Sequence, residues 1–123
     1  MNTPDFRIII AGSRTFNDYN KLATHCDRLL AEKKKTHHIV IVSGTCRGAD
    51  LMGERYAQEH GYSIARYPAD WNRLGKFAGI QRNLIMANNA DALIAFWDGQ
   101  SHGTKAMIEF AREKNLAVRV VSC

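Results

Sequence analysis

The run Ile39-Val40-Ile41-Val42, followed directly by Ser43-Gly44-Thr45-Cys46-Arg47-Gly48-Ala49-Asp50, decides the fold of this chain. A β-branched run of this kind is typical of a strand that is buried on both faces. The small residues after it predict a turn, and residues 49–60 have a helical pattern that Gly61 ends. The sequence therefore predicts a strand, a turn and a helix, and the free N–H groups that begin such a helix favour phosphate binding.

The same combination of an apolar run and a small-residue turn occurs twice more. The turn Gly12-Ser13-Arg14-Thr15 follows a predicted strand at 6–11, and Asp98-Gly99-Gln100-Ser101-His102-Gly103-Thr104 follows another at 91–97. In parallel sheets, ligands bind beyond the carboxyl ends of the strands, so we expect all three turns to meet at one edge. Three such turns favour a nucleotide-type ligand.

The rest of the chain continues the alternation. The predicted strands cover residues 6–11, 38–42, 62–67, 91–97 and 117–122. The predicted helices cover residues 19–34, 49–60, 77–88 and 104–114. On the third helix, Ile80, Leu84 and Ile85 are expected to point inward. This order predicts an α/β fold, a single Rossmann-like doubly wound parallel sheet of about five strands with helices on both faces, in one domain of residues 1–123.

Composition and charge limit the kind of ligand and the cellular compartment that we expect. A net charge of +5 makes an anionic ligand plausible without choosing between a nucleotide and a nucleic acid. Three cysteines, Cys26, Cys46 and Cys123, cannot all pair, and no secretory signal precedes them, so we expect a cytoplasmic protein. No membrane contact is expected, because no apolar stretch approaches the roughly 20 residues that span a bilayer.

Signals for the common cofactor and metal sites are missing. The first turn has no Gly-x-Gly-x-x-Gly motif and no acidic residue ends the second strand, which disfavours a nicotinamide dinucleotide. The chain has no Gly-x4-Gly-Lys-Ser/Thr loop, and its histidines and cysteines lack the spacing of metal ligands. We therefore predict neither a cofactor nor a metal site.

Four motifs together resemble the YspA/YpsA-related branch of the SLOG superfamily. They are Ala11-Gly12-Ser13-Arg14-Thr15-Phe16, Ser43-Gly44-Thr45-Cys46-Arg47-Gly48-Ala49-Asp50, Gly79-Ile80-Gln81-Arg82-Asn83-Leu84-Ile85-Met86 and Asp98-Gly99-Gln100-Ser101-His102-Gly103-Thr104. The superfamily also includes LOG phosphoribohydrolases, the DNA-processing protein DprA and molybdenum-cofactor carrier proteins. The resemblance implies a Rossmann-like fold and a phosphate-bearing, usually nucleotide-derived ligand. It also implies action through a partner, a homo-oligomer or catalysis.

The match to LOG enzymes is incomplete at the catalytic positions. Those enzymes use an arginine before the fourth strand, which Arg82 resembles in position, and a glutamate just after the final Gly-Thr. Here Lys105-Ala106-Met107 follows Thr104, and the first acid is Glu109, more than one helical turn from the predicted pocket. Arg82 and Glu109 are thus the candidate catalytic residues, and the departure at the glutamate disfavours glycosidic cleavage.

Several polar residues have two interpretations. Arg14 suits a phosphate contact and a surface position equally, whereas Arg47 opens a helix, where a cation is unfavourable unless an anion is bound. Asp50 is either a first-turn residue that the helix dipole favours or a ribose or metal contact. Trp71 could stack on a base or cap the core, and Thr104 could be an N-cap that a phosphate shares. The predicted ligand-binding residues are Gly12, Ser13, Arg14, Ser43, Gly44, Thr45, Arg47, Gly48, Asp50, Arg82, Asn83, Asp98, Gly99, Ser101, Gly103 and Thr104.

Three functions are compatible with this pattern. The first is binding or sensing of a nucleotide or nucleotide-derived phosphate ligand by a homo-oligomer. The second is hydrolysis of a nucleoside phosphate or an ADP-ribose-like compound, with Arg82 as electrophile and Asp50, Asp98 or Glu109 as acid or base. The third, single-stranded DNA binding as in DprA, is not favoured, because basic residues do not alternate with aromatic ones along any element.

Overall fold

The computed structural model describes residues 3–123 and contains a five-stranded sheet in the order β3-β2-β1-β4-β5. The strands are β1 (Asp5–Gly12), β2 (His38–Ser43), β3 (Ser63–Arg66), β4 (Ala92–Trp97) and β5 (Ala117–Ser122). The helices are α1 (Tyr19–Leu30), α2 (Lys33–Thr36), α3 (Ala49–His60), α4 (Trp71–Leu74), α5 (Ala78–Asn88) and α6 (His102–Glu113), with a 3-10 turn at Gly75–Phe77. All four strand pairs are parallel, which confirms the predicted α/β Rossmann-like fold.

The strand order reverses beside β1. The chain builds β1, β2 and β3 outward in one direction, then returns to place β4 on the other side of β1, where Gly12 pairs with Phe96. Such a reversal separates the connections that follow β1 and β4 and opens a crevice at their carboxyl ends. The three small-residue turns follow β1, β2 and β4, so the fold brings them to this edge of the sheet.

Both faces of the sheet are covered. Ile8 and Ile10 of β1 pack with buried residues of α1 and α3, whereas Ile9 packs on the opposite face with Met86 of α5 and Met107 of α6. Successive side chains of a strand point to opposite faces, so a strand covered on both sides must be apolar throughout. This explains the unbroken apolar runs in the sequence.

The orientation of α5 differs from the prediction. Ile80, Leu84 and Ile85 are exposed, and the buried side of the helix carries Arg82 and Asn83 together with small and apolar residues. The prediction that the three aliphatic residues point inward was therefore wrong. The helix turns this way because Arg82 donates to the Gly44 carbonyl in the turn after β2, and Asn83 donates to the Gly103 carbonyl in the first turn of α6.

Two helix boundaries also differ. The first helix ends at Leu30 instead of continuing to Lys34. Residues Lys33–Thr36, none of which is buried, form the separate short helix α2. The last helix begins at His102, so Ser101 and not Thr104 is its N-cap. The Thr104 hydroxyl instead lies 3.2 Å from the Ser101 hydroxyl within the first turn.

Gly12 is required by close packing at the crevice. A Cβ atom at this position would lie 2.4 Å from the Phe96 carbonyl oxygen and 2.9 Å from the Ala49 Cβ. We expect Gly12→Ala to lower the free energy of unfolding by about 1–3 kcal/mol, as overpacking in a rigid core does. Urea denaturation measures this. Gly103→Ala is the control, because nothing lies within 4 Å of its added Cβ, and an equal loss in both variants would contradict the prediction.

Candidate functional site

The candidate site is a cleft at the carboxyl edge of the sheet, where the strand order reverses. Its inner lobe has a volume of about 430 Å³ and lies between Gly12 after β1, Asp50 of α3, Asn83 of α5 and Gly103 of α6. Its outer lobe, of about 750 Å³, is bounded by the turn after β2 and by Trp71. The two lobes share Arg14, Cys46 and Arg82.

Arg82 is the central cation of the cleft. It is 9% exposed, donates from Nη1 to the Gly44 carbonyl (2.5 Å) and from Nε to Asn83 Oδ1 (2.8 Å). Within residues 3–123, no carboxylate oxygen lies within 4.0 Å of its guanidinium. A buried charge normally has an ionic partner, because desolvation of an unpaired charge is costly. Arg82 therefore retains donors for an anion in the cleft.

Asn83 holds this arginine in place. Its Oδ1 accepts the Arg82 Nε hydrogen bond, and its Nδ2 donates to the Gly103 carbonyl at 3.2 Å. The same side chain thus orients the guanidinium and ties α5 to the first turn of α6. Asn83 lines the inner lobe, and its side-chain oxygen and nitrogen both bind other residues of the protein, so it positions Arg82.

Asp50 is a buried acid beside this cation. Its Oδ2 accepts a hydrogen bond from the Cys46 backbone N–H at 3.3 Å. Burial raises the pKa of Asp50 to about 6, although Cys46 N–H, Arg82 and Arg14 act in the opposite direction. Gly44 makes room for both groups, since its Cβ would lie 2.7 Å from Asp50 Oδ2 and 3.0 Å from Arg82 Nη1. The inner lobe thus contains one carboxylic acid that ionises near neutral pH.

The first turn of α6 closes the inner lobe. Asp98 Oδ1 accepts hydrogen bonds from the Gln100 and Ser101 N–H groups, which lowers the pKa of Asp98 and shapes the loop before the helix. The Ser101 side chain does not cap the helix, so its first N–H groups remain available, as at other helix N-termini. They add positive potential beside Arg82.

The comparisons with known proteins agree with this architecture. A sequence model described as the YspA, cpYpsA-related SLOG family matches residues 6–74. The chain is also 34% identical over 119 residues to the Gene 61 protein of Mycobacterium phage D29, which covers 91% of this chain and 93% of that protein. The chain belongs to the YspA, cpYpsA-related SLOG family.

Two solved structures share the fold of this SLOG-family chain. DprA from Streptococcus pneumoniae matches 95% of the chain with a TM-score of 0.69 at 21% identity. DprA from Helicobacter pylori, whose structure concerns its single-stranded DNA binding mode, matches 96% with a TM-score of 0.68 at 22% identity. The chain spans only 50% and 65% of these two proteins. At this identity, the likeness shows the fold alone.

The SLOG cleft brings together most of the predicted ligand-binding residues. Those that line it are Gly12, Arg14, Gly44, Thr45, Arg47, Asp50, Arg82, Asn83, Ser101, Gly103 and Thr104. Cys46, in the turn after β2, also lines the inner lobe, together with Met86 and Met107, which no sequence motif placed in the site. Helical spacing is the signal that finds the methionines, because Met86 follows Arg82 by four residues and Met107 follows Thr104 by three.

Ser13, Ser43 and Gly48 lie behind the cleft wall and do not line it. The Ser13 hydroxyl accepts from the Asp98 N–H at 3.2 Å. The Ser43 hydroxyl donates to Glu54 at 2.7 Å and accepts from the Thr45 N–H. Gly48 has φ +83°, and its Cβ would lie 2.4 Å from the Ser13 carbonyl oxygen. These residues hold the turns together.

Asp98, Gly99 and Glu109 also lie outside the lining of the two lobes. Asp98 organises its own loop, and Gly99 has φ +81° within it. Glu109 is exposed on α6, whereas Thr104 and Met107 of the same helix face the inner lobe. The structure does not bring Glu109 together with Arg82.

Trp71 lies at the opposite end of the site, on the wall of the outer lobe. Half of its surface is exposed, so it does not cap the core. Its ring edge lies 3.4 Å from the position of a Cβ at Gly79, beside Arg82. An exposed indole beside a cationic cleft is well placed to stack on a planar ring.

Residues 3–123 contain neither a cluster of metal-ligating side chains nor a helix that could span a membrane. In this range, no three His, Cys, Asp or Glu side chains lie close enough to hold a metal ion. No helix among the same residues has the length and apolar character needed to cross a bilayer.

Proposed function

We propose that this chain binds a nucleotide or nucleotide-derived phosphate ligand in the cleft. The observation that carries the proposal is Arg82, a nearly buried cation that forms no salt bridge within 4.0 Å in the described residues and lines the inner lobe with the first turn of α6, whose N–H groups are available. The phosphate would lie in the inner lobe, against Arg82 and the first turn of α6. This arrangement combines a charge-assisted donor with a helix N-terminus.

Charge and shape support the same assignment. Arg14, Arg47 and Arg82 face the cleft and Asp50 is the acid that lines it, so the site has a positive excess. Both lobes are open to solvent and share Arg14, Cys46 and Arg82, so a ligand longer than a phosphate can extend from one lobe into the other. The base of the ligand would lie in the outer lobe against Trp71, and its ribose near the shared residues Arg14 and Cys46.

A thermal-shift screen tests the proposal. We expect AMP, ADP, ATP, ADP-ribose, NAD or a cyclic nucleotide to raise the melting temperature, because a ligand that binds only the native state stabilises it. Adenosine, which lacks the phosphate, is the matched control and should give a smaller shift. A single-stranded oligonucleotide tests the DNA-binding alternative in the same assay. Absence of a shift with every nucleotide would contradict the proposal.

The second candidate function is hydrolysis of a nucleoside phosphate or an ADP-ribose-like compound. Asp50 favours it, because a buried carboxyl with a pKa of about 6 inside a cleft can exchange a proton near neutral pH. Arg82 would then stabilise the negative charge on the phosphate. Asp98 is less suited to donate a proton, since its loop hydrogen bonds lower its pKa.

The ionisation of Asp50 predicts a pH-dependent stability. Burial raises its pKa from 3.8 to about 6, so the native state disfavours the charged form. Protonated Asp50 therefore makes a contribution to the free energy of unfolding that is fully present below pH 3.8. This contribution is lost as the pH rises through about 6 and the buried carboxyl ionises. Asn cannot ionise, so we expect Asp50→Asn to exceed the wild type in free energy of unfolding by about 3 kcal/mol above neutral pH.

Urea denaturation at several pH values measures this difference. It should shrink toward zero as the pH falls to about 4. Asp5→Asn, at an exposed position, is the surface control. A constant difference between wild type and Asp50→Asn at all pH values would show that Asp50 does not titrate in this range.

A further inference from the structure

Glu54 of α3 is a buried carboxylate that lies outside the cleft. It is 8% exposed and lines neither lobe. Its Oε2 accepts a hydrogen bond from the Ser43 hydroxyl at 2.7 Å, and its Oε1 accepts one from Arg66 Nε at 2.8 Å. Ser43 and Arg66 are paired residues at the ends of β2 and β3, so one carboxylate can contact both. Each oxygen of Glu54 therefore has a donor, as a buried carboxylate requires.

The Ser43 hydroxyl connects Glu54 with the turn after β2. Because its hydrogen is donated to Glu54, its oxygen can accept, and it accepts from the Thr45 N–H at 3.0 Å. This N–H belongs to the peptide group that joins Gly44 to Thr45. The carbonyl of the same peptide group accepts a hydrogen bond from Arg82 Nη1. One rigid peptide plane is thus bound by Ser43 on one side and by Arg82 on the other.

The backbone at Thr45 depends on such a contact. Its φ of +65° lies in the left-handed region, which is unfavourable for a β-branched residue. A conformation of this kind persists only where the surrounding structure holds it. Without the Ser43 hydrogen bond, rotation of the peptide group between Gly44 and Thr45 would relieve the strain and turn its carbonyl away from Arg82.

We propose that Glu54 is a positioning residue for the anion contact of Arg82. It acts through Ser43, which holds the peptide group whose carbonyl Arg82 contacts. The anion contact itself rests on the proposed function. The effect of Glu54 on the orientation of Arg82 requires no ligand, so it can be measured separately from nucleotide binding.

Nuclear magnetic resonance of the ¹⁵N-labelled full chain measures the orientation without a ligand. In the wild type we expect slow exchange of the Thr45 N–H and a resolved Arg82 Nε–H signal, because both groups are hydrogen-bonded. Glu54→Met keeps the volume of the side chain, but its sulfur is only a weak acceptor. It should accelerate Thr45 exchange about 10-fold, as the loss of one hydrogen bond predicts, and broaden the Arg82 signal.

Two variants make this measurement specific. Glu54→Gln keeps an oxygen that can accept from Ser43, so it should restore slow Thr45 exchange. Glu59→Met is the matched control, because Glu59 is a second carboxylate of α3 that accepts hydrogen bonds from two side chains, both of them outside the turn. It should leave both signals unchanged. If Glu54→Met lacks native circular dichroism, Glu54→Ala takes its place.

Affinity for AMP separates positioning from a simple effect of charge. Burial raises the pKa of Asp50 and the negative charge of Glu54 raises it further, so this charge acts inside the cleft. If Glu54 acted only through its charge, its removal would tighten the binding of an anion. Positioning predicts the opposite, a loss of about 3- to 10-fold in Glu54→Met, the range for one hydrogen bond. Glu54→Gln should bind AMP more tightly than Glu54→Met.

A double-mutant cycle shows whether Glu54 acts through Ser43. Ser43→Ala removes the connecting hydroxyl, so Glu54→Met should add little further loss of AMP affinity in that background. Additive losses would overturn the proposal, and so would wild-type Thr45 exchange in a folded Glu54→Met chain. If AMP and the other nucleotides do not bind the wild type, the proposed function fails, and the Thr45 and Arg82 signals still decide the positioning role.

Discussion

Replacement of Arg82 by alanine is expected to weaken nucleotide binding by about 10- to 150-fold. This range corresponds to the roughly 1.5–3 kcal/mol of a hydrogen bond to a charged group. The effect should be large because Arg82 is nearly buried and Asn83 orients its guanidinium. Isothermal titration calorimetry with AMP, or with the nucleotide that gives the largest thermal shift, measures the dissociation constant.

Three further variants make the Arg82 experiment specific. Arg82→Lys keeps the charge but loses the planar fork, so we expect an intermediate affinity. Arg55→Ala removes an exposed arginine that pairs with Glu59 on α3 and should leave the affinity unchanged. The sequence pattern predicts an equal effect for Arg47→Ala, but Arg47 is exposed, so the structure predicts a smaller one. Wild-type affinity in Arg82→Ala with native circular dichroism would make this arginine purely structural.

Release of free base from nucleoside monophosphates is expected to be about 10²–10³ slower than in a LOG enzyme, the typical cost of one missing electrostatic group. Breaking the N-glycosidic bond creates positive charge on the ribose, which a nearby carboxylate stabilises. Lys105-Ala106-Met107 follows Thr104 here, and Glu109 is exposed outside the cleft lining. Chromatographic detection of free base after incubation with each monophosphate measures the rate.

If free base is released, two variants identify the acidic residue that is responsible. Rapid release abolished by Glu109→Gln would contradict the prediction and require α6 to turn Glu109 toward the cleft. Rapid release abolished by Asp50→Asn, but retained in Glu109→Gln, would favour the hydrolase with the buried Asp50 as its acid. Slow release in all three proteins is the expected result.

Local signals explain why much of the fold could be predicted from the sequence. The buried run at 39–42 and the glycine at 61 define the ends of β2 and α3, and the predicted helix 49–60 has the same bounds as the observed one. The three turns each follow an apolar run, and parallel strands bring their carboxyl ends to one edge. The position of the cleft therefore follows from strand order and turn residues alone.

Side-chain roles within the cleft depended on partners that are distant in the sequence. The sequence marked Ser43 as a ligand contact, but its hydroxyl is bound to Glu54, eleven residues away. Glu109 is close to the Gly103 turn in sequence, yet the helix begins at His102 and leaves this acid on an exposed side. Such outcomes depend on which partners the fold brings near each side chain, and local sequence patterns do not specify these partners.

The sequence by itself determined the alternation of strands and helices, the parallel sheet and the edge at which the turns meet, because these follow from short-range patterns. Only the tertiary structure decided which side of α5 is buried. Both sides of that helix carry apolar residues, so periodicity could not choose between them. The choice was made by Arg82, bound to Gly44 at 38 residues' separation, and by Asn83, bound to Gly103 at 20. These two polar contacts turn the aliphatic side of α5 outward, since buried polar groups must find partners before apolar ones can be packed freely.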